Sequence, residues 1–264
     1  MRDALELMNV YPAGNKSLKL LIGTPTASGT VTAHYAKSLV HAAQAAGALG
    51  WSYGLSTFDG ADIELARNAI ASQMLADPAC THLLFLDSDM DVDRETFTRL
   101  FSAGHDMAGV IYPKRHLDWA RYAELLRTGV DEATARAASA EFVVRFAERR
   151  IEVSQGWCRV AAIGTGCLLI GRGVFERLLA TGTIPRLATA AVGGSDPHQV
   201  VHDFFDRMVL KDGGRLSEDY AFCSRVSDMG GEIWGLADTN VGHVGVHGFR
   251  ARFVDHLAQM AGRR

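Results

Sequence analysis

The sequence predicts an α/β fold with a mostly parallel central sheet, and three observations support this. Short apolar runs alternate with segments of helical periodicity, the pattern of repeating βα units. Glycine and proline interrupt the chain where strands should end, as at Gly23 and Pro25. At 264 residues, 48% of them hydrophobic, the chain is long enough for one large domain or two closely joined halves.

The elements of the first half follow in order. LKLLIGTP is the first strand, and apolar residues from Val31 onward then recur at helical spacing up to Gly47. Alternating apolar residues in WSYGLSTFDG predict a second strand. Asp62 is a good N-cap for the next helix, which leads into the strands HLLFLD and DMAGVIYP.

The strand pattern stops in residues 114–150. Apolar spacing predicts two helices there, one from Trp119 to Leu126 and one from Ala133 to Val144, separated by Gly129. Strands return in IEVSQ and CRVAAIGTGCLLIGR, and GVFERLLATG is a short helix. Turn clusters make residues 184–214 loop-rich. A helix then begins near Ser217, and EIWGL is the last predicted strand.

The charge balance, the apolar content and the cysteine spacing limit which binding partners and which compartment we expect. The 27 basic and 30 acidic side chains nearly balance, so no global field attracts nucleic acid or anionic lipid. No window approaches the ~18 consecutive apolar residues of a membrane span, and no apolar signal region opens the chain, so we expect a cytoplasmic protein. Four cysteines lack the paired spacing of a zinc or redox site and should be buried thiols: Cys80, Cys158, Cys167 and Cys223.

Four carboxylates follow the third predicted strand at every second position in LLFLDSDMDVD: Asp87, Asp89, Asp91 and Asp93. The carboxyl ends of parallel strands are where open α/β sheets bind ligands. Clustered anions repel one another unless a cation neutralises them, so a divalent metal is the economical explanation.

Three other interpretations account for less of this run. A calcium loop of the EF-hand type requires glycine at Val92 and glutamate at Thr98. A haloacid-dehalogenase-like phosphatase prefers threonine or valine at Asp91 and places its motif on the first strand, not the third. A helix-capping turn suits Asp93, but it needs one acid rather than four.

Five segments occur in order between about residues 22 and 245: RNAIASQML…THLLFLDSDM, GVIYPKR, GTGCLLIGRGVFERL, SEDYAFCSR and GHVG. Together they resemble the motifs of GT-A glycosyltransferases related to family two, which use nucleotide-diphosphate sugars. The resemblance implies two abutting Rossmann-like halves around a continuous central sheet in a single domain. We divide it into a nucleotide-binding half at 17–113, a helical insert at 114–150, an acceptor-side half at 151–249 and a tail at 250–264.

The resemblance also assigns the metal, Mn²⁺ or Mg²⁺. Asp89 would bind it directly, Asp87 would approach both the metal and the ribose, and His243 would be the C-terminal ligand. His247 and Asp91 are additional candidates. Neutral imidazole suits a Mn²⁺ or Mg²⁺ site rich in carboxylates. The metal would stabilise the departing nucleoside diphosphate as a Lewis acid.

Arg67 makes a separate case for an anion. It falls in the apolar stripe of its helix with Ile63 and Ile70, so it should face the core. A buried guanidinium needs an anion, either the nucleotide diphosphate or a structural ion pair with Asp59 or Asp87. Further predicted contacts to the nucleotide sugar lie at strand ends or within the motifs: Thr24, Pro25, Asp59, Asn68, Asp87, Ser88 and Gly166.

Glu218 and Asp219 should open a helix, where carboxylates complement the helix dipole. By the resemblance, Asp219 is the general base that takes the proton of the acceptor hydroxyl, giving inversion, and Glu218 with partial burial raises its pKa. Retaining relatives share the metal motif, so the stereochemical outcome is open. A phosphohydrolase of haloacid-dehalogenase type and a catalytically inactive nucleotide-sugar binding protein are the alternatives.

The acceptor has no readable motif. A small molecule, a protein, a modified nucleic acid and a glycolipid all fit the sequence, which carries neither a strong nucleic-acid signal nor a transmembrane segment. The tail arginines permit an anionic acceptor or a membrane surface, although such groups are usually solvated: Arg250, Arg252, Arg263 and Arg264.

Overall fold

The computed structural model describes residues 18–187, 200–245 and 249–261. A seven-stranded sheet forms the centre of the molecule. From one edge to the other its strands are β2 (Ser52–Asp59), β1 (Lys19–Thr26), β3 (His82–Leu86), β11 (Cys167–Gly171), β5 (Met107–Val110), β16 (Trp234–Leu236) and β9 (Trp157–Arg159). Five of these strands run in one direction, and β11 and β9 run in the other. The predicted α/β class with a mostly parallel sheet is confirmed, and the arrangement is consistent with a Rossmann-like GT-A fold.

Eight helices occur within the described ranges: α1 (Ala33–Ala48), α2 (Ile63–Ala76), α3 (Arg94–Ser102), α4 (Trp119–Arg127), α5 (Glu132–Ser139), α6 (Arg172–Ala180), α7 (Glu218–Asp228) and α8 (Phe253–Ala261). Asp62 caps α2 and Asp93 caps α3, each accepting a backbone N–H three residues later. Both predicted caps are confirmed. Ser217 precedes α7 as predicted, but its hydroxyl bonds to the Asp219 side chain instead of capping the backbone. None of these helices is long and apolar enough to cross a membrane.

The two faces of the sheet bury separate apolar clusters. Alternate strand residues such as Leu20 and Leu84 pack under α1 and α3. Their neighbours Leu21 and Leu83 face the other way, toward α2, α6 and α7. This alternation follows from the period of two along a strand, and each fully buried leucine contributes about 1.5–3 kcal/mol. All four cysteines are buried free thiols, as predicted.

Short strands decorate the rest of the described chain: β4 (Met90–Asp91), β6 (Pro113–Leu117), β7 (Ala140–Phe142), β8 (Val144–Arg145), β10 (Ala162–Ile163), β12 (Arg186–Leu187), β13 (Val201–His202), β14 (Met208–Val209), β15 (Arg215–Leu216), β17 (Val241–His243) and β18 (Phe249–Ala251). The most consequential are β18, β17 and β4, which form a three-stranded sheet. In its register Gly242 lies opposite Asp91 and His243 opposite Met90. This pairing carries the C-terminal segment to the acidic run.

The structure corrects several predicted elements. The two helices of the insert are present, but the second ends at Ser139, because residues 140–145 pair as strands with β6 and β10. Long-range pairing here overrides the helical spacing of the sequence. IEVSQ is not a strand and retains one isolated bridge, from Ser154 to Trp157. The helix α8 was not anticipated. Residues 184–187 and 200–214 contain short strands within the expected loops, and residues 188–199 lie outside the described part.

Candidate active site

A tight turn after β3 separates the carboxylates of the acidic run. The backbone N–H of Asp87 donates to the carbonyl of Gly166 at 2.9 Å, and that of Met90 donates to the carbonyl of Asp87 at 3.1 Å. The chain therefore reverses at Ser88 and Asp89 and continues into β4. As a result, the side chains of the four carboxylates point in different directions and contact different residues.

Asp89 lies against His243. The imidazole Nε2 is 3.3 Å from Asp89 Oδ2, and the backbone N–H of Val244 donates to the Asp89 carbonyl at 2.8 Å. The imidazole Nδ1 lies 3.0 Å from the carbonyl oxygen of Pro113. Because a carbonyl only accepts, Nδ1 carries the hydrogen of this bond, which leaves Nε2 directed at the carboxylate. A second hydrogen bond that fixes the ring in this way is the usual arrangement of a metal-binding histidine.

The donor set of this pair fits a divalent cation. Burial acts to raise the pKa of Asp89, but the neighbouring side chains of His243 and Arg115 lower it on balance. An ionised carboxylate beside an imidazole nitrogen suits Mn²⁺ or Mg²⁺, which take few protein ligands when substrate phosphates complete the shell. Within the described residues no group of three or more His, Cys, Asp and Glu side chains is arranged to hold a metal. His247, the second predicted histidine, lies outside those residues.

Asp91 faces away from this pair and contacts two cationic side chains and one imidazole. Its carboxylate contacts Arg250, lies 3.3 Å from Lys37 Nζ and lies 3.1 Å from His34 Nδ1. Only 6% of the side chain is exposed. Burial acts to raise its pKa, but Arg250 and Lys37 lower it below the ordinary value. Asp91 therefore joins α1 to β18, and Arg250 is an ion-pair partner rather than a solvated tail residue.

Arg67 connects two of the predicted motifs. It is 3% exposed, so the prediction that it faces the core is confirmed. Its Nη2 donates to Asp87 Oδ2 at 3.2 Å, and its Nε lies 3.5 Å from Glu218 Oε1. Of the two carboxylates predicted as structural partners, the structure thus selects Asp87 over Asp59 and adds Glu218. The guanidinium also lies 5.3 Å from the ring centroid of Phe85.

The guanidinium of Arg67 has a raised pKa, but not all of its N–H groups form hydrogen bonds. Burial acts to lower its pKa, whereas the carboxylates of Asp87 and Glu218 raise it above the ordinary value. Its buried Nη1 has no hydrogen-bond acceptor in the described part of the chain, and its buried Nε has only the Glu218 carboxylate at 3.5 Å. Buried donors in this state carry an energetic cost that an anionic oxygen would relieve. Arg67 therefore pairs with two carboxylates and still leaves the buried Nη1 without an acceptor among the described residues.

Asp219 is held at the first turn of α7. Its Oδ1 accepts from the Ser217 hydroxyl and from the backbone N–H of Tyr220, the latter at 2.8 Å. Burial raises the pKa of Asp219 above the ordinary value, and the charge of Glu218 adds to this against the Ser217 hydrogen bond. The prediction of a raised pKa is confirmed. A carboxylate with a raised pKa is a better proton acceptor near neutral pH than an ordinary aspartate.

Tyr112 lies beneath the site and was missed in the sequence. Its hydroxyl accepts the backbone N–H of Gly166 at 3.1 Å, and its ring meets the His243 ring edge-on at 5.3 Å. Burial raises its pKa well above the ordinary value, and the nearby charges of Asp87 and Asp219 add to this. The tyrosine therefore packs between the metal-ligand candidates and the candidate base.

Tyr112 also explains the glycines of the GTG segment. A Cβ on Gly166 would lie 2.7 Å from the Tyr112 ring, and a Cβ on Gly164 would overlap its hydroxyl. We expected Gly166 to line the sugar pocket, but the tyrosine accounts for the absence of a side chain there. The paired glycines signalled a close approach without indicating which residue approaches.

Arg115 is a second residue that sequence reasoning passed over. Its Nη1 donates to Asp89 Oδ2 at 2.9 Å, and its side chain is about half-exposed. The sequence does contain a feature that could have indicated it: a basic pair, Lys114 and Arg115, follows the carboxyl end of β5 in GVIYPKR. A guanidinium in this position can donate charge-assisted hydrogen bonds to a phosphate that binds next to Asp89.

The predicted nucleoside contacts at the ends of β1 and β2 differ in accessibility. Thr24 and Pro25 are buried, and the Thr24 hydroxyl lies 2.6 Å from that of Tyr35. The Thr24 side chain therefore has an internal partner. Asp59 is exposed at the end of β2, beside a loop in which Gly29 adopts φ +64°. Its carboxylate remains accessible to a ligand.

Asn68 and Ser88 have internal partners as well. The Asn68 amide donates to Asp203 Oδ1 at 2.6 Å and accepts from the backbone N–H of Phe205 at 2.9 Å. Both ends of this amide thus hold the 203–205 segment against α2. The carbonyl of Ser88 accepts the backbone N–H of Thr32 at 2.9 Å, which joins the acidic turn to the start of α1.

No protein-family model matches the chain, and no curated protein matches it in sequence. Among solved structures, the chain is similar to A197 from STIV, with 16% identity, 86% of each chain covered and a TM-score of 0.44. It is also similar to a glycosyltransferase involved in the glycosylation of the major capsid of PBCV-1. That match has 11% identity, covers 63% of this chain and 66% of the other, and has a TM-score of 0.30.

Proposed function

We propose that this chain is a metal-dependent glycosyltransferase that moves a sugar from a nucleotide-diphosphate sugar to an acceptor hydroxyl. The observation that carries the proposal is the imidazole of His243, fixed through Nδ1 and directed through Nε2 at Asp89. This pair lies near the carboxyl ends of the central strands, where α/β sheets bind their ligands. Asp219, with its raised pKa, supplies the candidate base.

In this proposal Asp89 and His243 hold Mn²⁺ or Mg²⁺, and Asp87 assists from the same turn. The cation, when bound, acts as a Lewis acid on the diphosphate of the donor. Arg67 offers the buried Nη1, which has no acceptor among the described residues, and Arg115 offers a half-exposed guanidinium beside Asp89. Both residues would orient the diphosphate through charge-assisted hydrogen bonds.

The remaining donor contacts are assigned by position. Asp59 is the accessible carboxylate at the nucleoside side of the strand ends. Backbone atoms of Thr24 and Pro25 would border the base, because the Thr24 hydroxyl is already bonded to Tyr35. The predicted contacts of Asn68, Ser88 and Gly166 become supporting contacts, since each has an internal partner.

Asp219 would take the proton of the acceptor hydroxyl as that oxygen attacks the anomeric carbon, giving inversion. Glu218 contributes in two ways. Its charge helps to raise the pKa of Asp219, and its carboxylate is an ion-pair partner of Arg67. The base and the diphosphate-binding arginine are therefore connected through one residue.

A ligand panel tests the binding half of the proposal. Thermal unfolding should be measured with UDP-, GDP- and dTDP-sugars, each with and without Mn²⁺. We expect one nucleotide family to raise the melting temperature, and Asp89→Asn to abolish the Mn²⁺-dependent part of that shift. A protein that ignores every nucleotide sugar but releases phosphate from p-nitrophenyl phosphate would be the phosphohydrolase instead.

A second experiment separates catalysis from binding. Asp219→Asn should reduce transfer or donor hydrolysis by about 10²–10⁴-fold, the usual contribution of a general base, with the melting-temperature shift retained. Asp228→Asn, at the exposed far end of α7, is the matched control and should leave the rate unchanged.

The pH dependence gives a further readout of the same residue. In wild-type protein the rate should fall with acidification at a pH above the ordinary aspartate range, because the pKa of Asp219 is raised. A nucleotide-sugar shift without transfer or hydrolysis at any pH, across small-molecule, protein, nucleic-acid and glycolipid acceptors, would identify a binding protein and refute the enzymatic proposal.

A further inference from the structure

One oxygen of Asp89 faces two nitrogens of other side chains. Asp89 Oδ2 accepts a hydrogen bond from Arg115 Nη1 at 2.9 Å, and the same atom lies 3.3 Å from His243 Nε2. In the proposed function, Asp89 and His243 hold the divalent cation. A cation held by the two atoms of this pair that face each other would therefore bind at the oxygen that Arg115 contacts.

A guanidinium and a divalent cation are unfavourable neighbours at one carboxylate oxygen. Both are positive, and like charges close together repel each other. The Asp89 side chain is only 20% exposed, so water screens this repulsion incompletely. Arg115 therefore opposes cation binding for as long as its guanidinium remains at Asp89.

Arg115 can leave Asp89 through rotation of its own side chain. That side chain is 54% exposed, and such side chains change rotamer rapidly. Asp89 is the one carboxylate paired with it in the described part of the chain. An ion pair with a half-exposed arginine is weak, so a stronger anion can take the guanidinium from Asp89.

The diphosphate of the proposed donor is such an anion. Phosphate oxygens accept paired hydrogen bonds from a guanidinium, and a diphosphate carries more negative charge than one carboxylate. A diphosphate bound to a cation at Asp89 would lie next to the carboxylate that Arg115 contacts. Transfer of the guanidinium to the phosphate would then remove the opposition to the cation and add a contact to the donor.

We propose that Arg115 makes cation binding and donor binding cooperative, because its guanidinium exchanges Asp89 for the diphosphate. Without donor, the guanidinium neutralises Asp89 and weakens its affinity for Mn²⁺ or Mg²⁺. With donor, it binds the diphosphate and leaves Asp89 Oδ2 to the cation. This inference rests on the proposed cation site at Asp89 and His243. Linkage makes the effect reciprocal, so the cation raises the affinity for the donor by the same factor.

The first measurement is the Mn²⁺ affinity of the folded protein without nucleotide, obtained from the electron paramagnetic resonance signal of free Mn²⁺. Asp89→Asn identifies the binding that belongs to this site. Arg115→Met keeps the aliphatic stem and removes the charge, so Mn²⁺ should bind about two- to fivefold more tightly, the range of an exposed ion pair. Arg115→Lys keeps the charge and should stay closer to wild type.

Lys114→Met is the matched control. Lys114 is the neighbouring basic residue on β6, is about half-exposed, and pairs with Glu141 at 2.9 Å instead of Asp89. Its loss removes the same charge from the same strand, so a general change of the surface field would appear in both variants. We expect Lys114→Met to bind Mn²⁺ like wild type.

The second measurement is the affinity for UDP, GDP and dTDP at saturating Mn²⁺, obtained by isothermal titration calorimetry. For a nucleotide that binds the wild-type protein, Arg115→Met should weaken binding at least about tenfold, because a charge-assisted hydrogen bond to phosphate is lost. One substitution thus moves two affinities in opposite directions, which neither unfolding nor a purely structural role of Arg115 would produce. The factor by which the nucleotide tightens Mn²⁺ binding should also be smaller than in wild type.

Three results would overturn the inference: equal Mn²⁺ affinity in Arg115→Met and wild type, weaker Mn²⁺ binding in that variant, or a nucleotide affinity that the substitution leaves unchanged. In each case, Mn²⁺ binding that Asp89→Asn abolishes would leave the proposed cation site intact. Mn²⁺ binding to wild-type protein without binding of any of the three nucleotides would overturn the inference as well. A wild-type protein that binds neither Mn²⁺ nor a nucleotide would refute the proposed function itself.

Discussion

Asp89 and Asp91 are two residues apart and each pairs with cations, yet their surroundings differ. Asp91 is almost fully buried and has three partners, contributed by α1 and by the strand β18. Asp89 is more accessible and contacts one half-exposed arginine and one imidazole nitrogen. The difference teaches that a run of carboxylates need not act as one site. Asp91 is already paired with charges of the fold, whereas we propose that Asp89 binds a further cation.

The largest expected effect is on stability, from Asp91→Asn. Removing this carboxylate leaves the cations of Arg250 and Lys37 and the imidazole of His34 facing a buried amide. We expect a loss of about 3 kcal/mol in the free energy of unfolding, the lower end for a broken buried pair, because the cations are half-exposed. Urea denaturation measures this loss.

Asp89→Asn is the matched variant for that measurement. Its loss should stay below about 1 kcal/mol, as for other accessible ion pairs. Equal losses in the two variants would break the comparison, because Asp89 would then be as structural as Asp91.

The next effect is on metal affinity. His243→Ala should weaken Mn²⁺ binding in the presence of the nucleotide at least about tenfold, which corresponds to about 1.4 kcal/mol, since it removes the nitrogen directed at Asp89. Isothermal titration calorimetry measures the affinity. Arg250→Gln, which alters the Asp91 side instead, should leave it within about twofold. The reverse order of effects would transfer the cation site to Asp91.

The smallest effect separates the partners of Asp91. Lys37 is 57% exposed at its side chain, so Lys37→Gln should cost about 0.5 kcal/mol or less, the usual value of an exposed pair. Arg250→Gln should cost more, because that guanidinium is the less exposed partner. Chemical denaturation of both variants measures the difference, and a larger loss from Lys37→Gln would contradict it.

Local patterns predicted much of this molecule from the sequence. The caps Asp62 and Asp93 depend on contacts three residues away, and both are present. The burial of Arg67 followed from its position in an apolar helical stripe. The acidic run follows β3 as expected, because a buried strand has a clear apolar signature.

What the sequence did not predict depends on long-range pairing. Tyr112 contacts Gly166 and His243 from a distant part of the chain, and no local pattern encodes that approach. The pairing of Glu218 with Arg67 has the same character. The second helix of the insert was extended too far for a related reason, since apolar residues at helical spacing also suit strands that find partners elsewhere.

The pairing of β17 with β4 has a consequence for biosynthesis. About 150 residues separate the two paired segments, and a ribosome adding about 5–20 residues per second needs roughly 8–30 s to make them. During that interval the nascent chain carries Asp89 and Asp91 without His243 or Arg250. A chain that ends before β17 therefore lacks both His243, the candidate ligand of Asp89, and Arg250, the ion-pair partner of Asp91. The two side chains that contact Asp89 and Asp91 from β17 and β18 therefore reach the acidic run only after the intervening residues have been made.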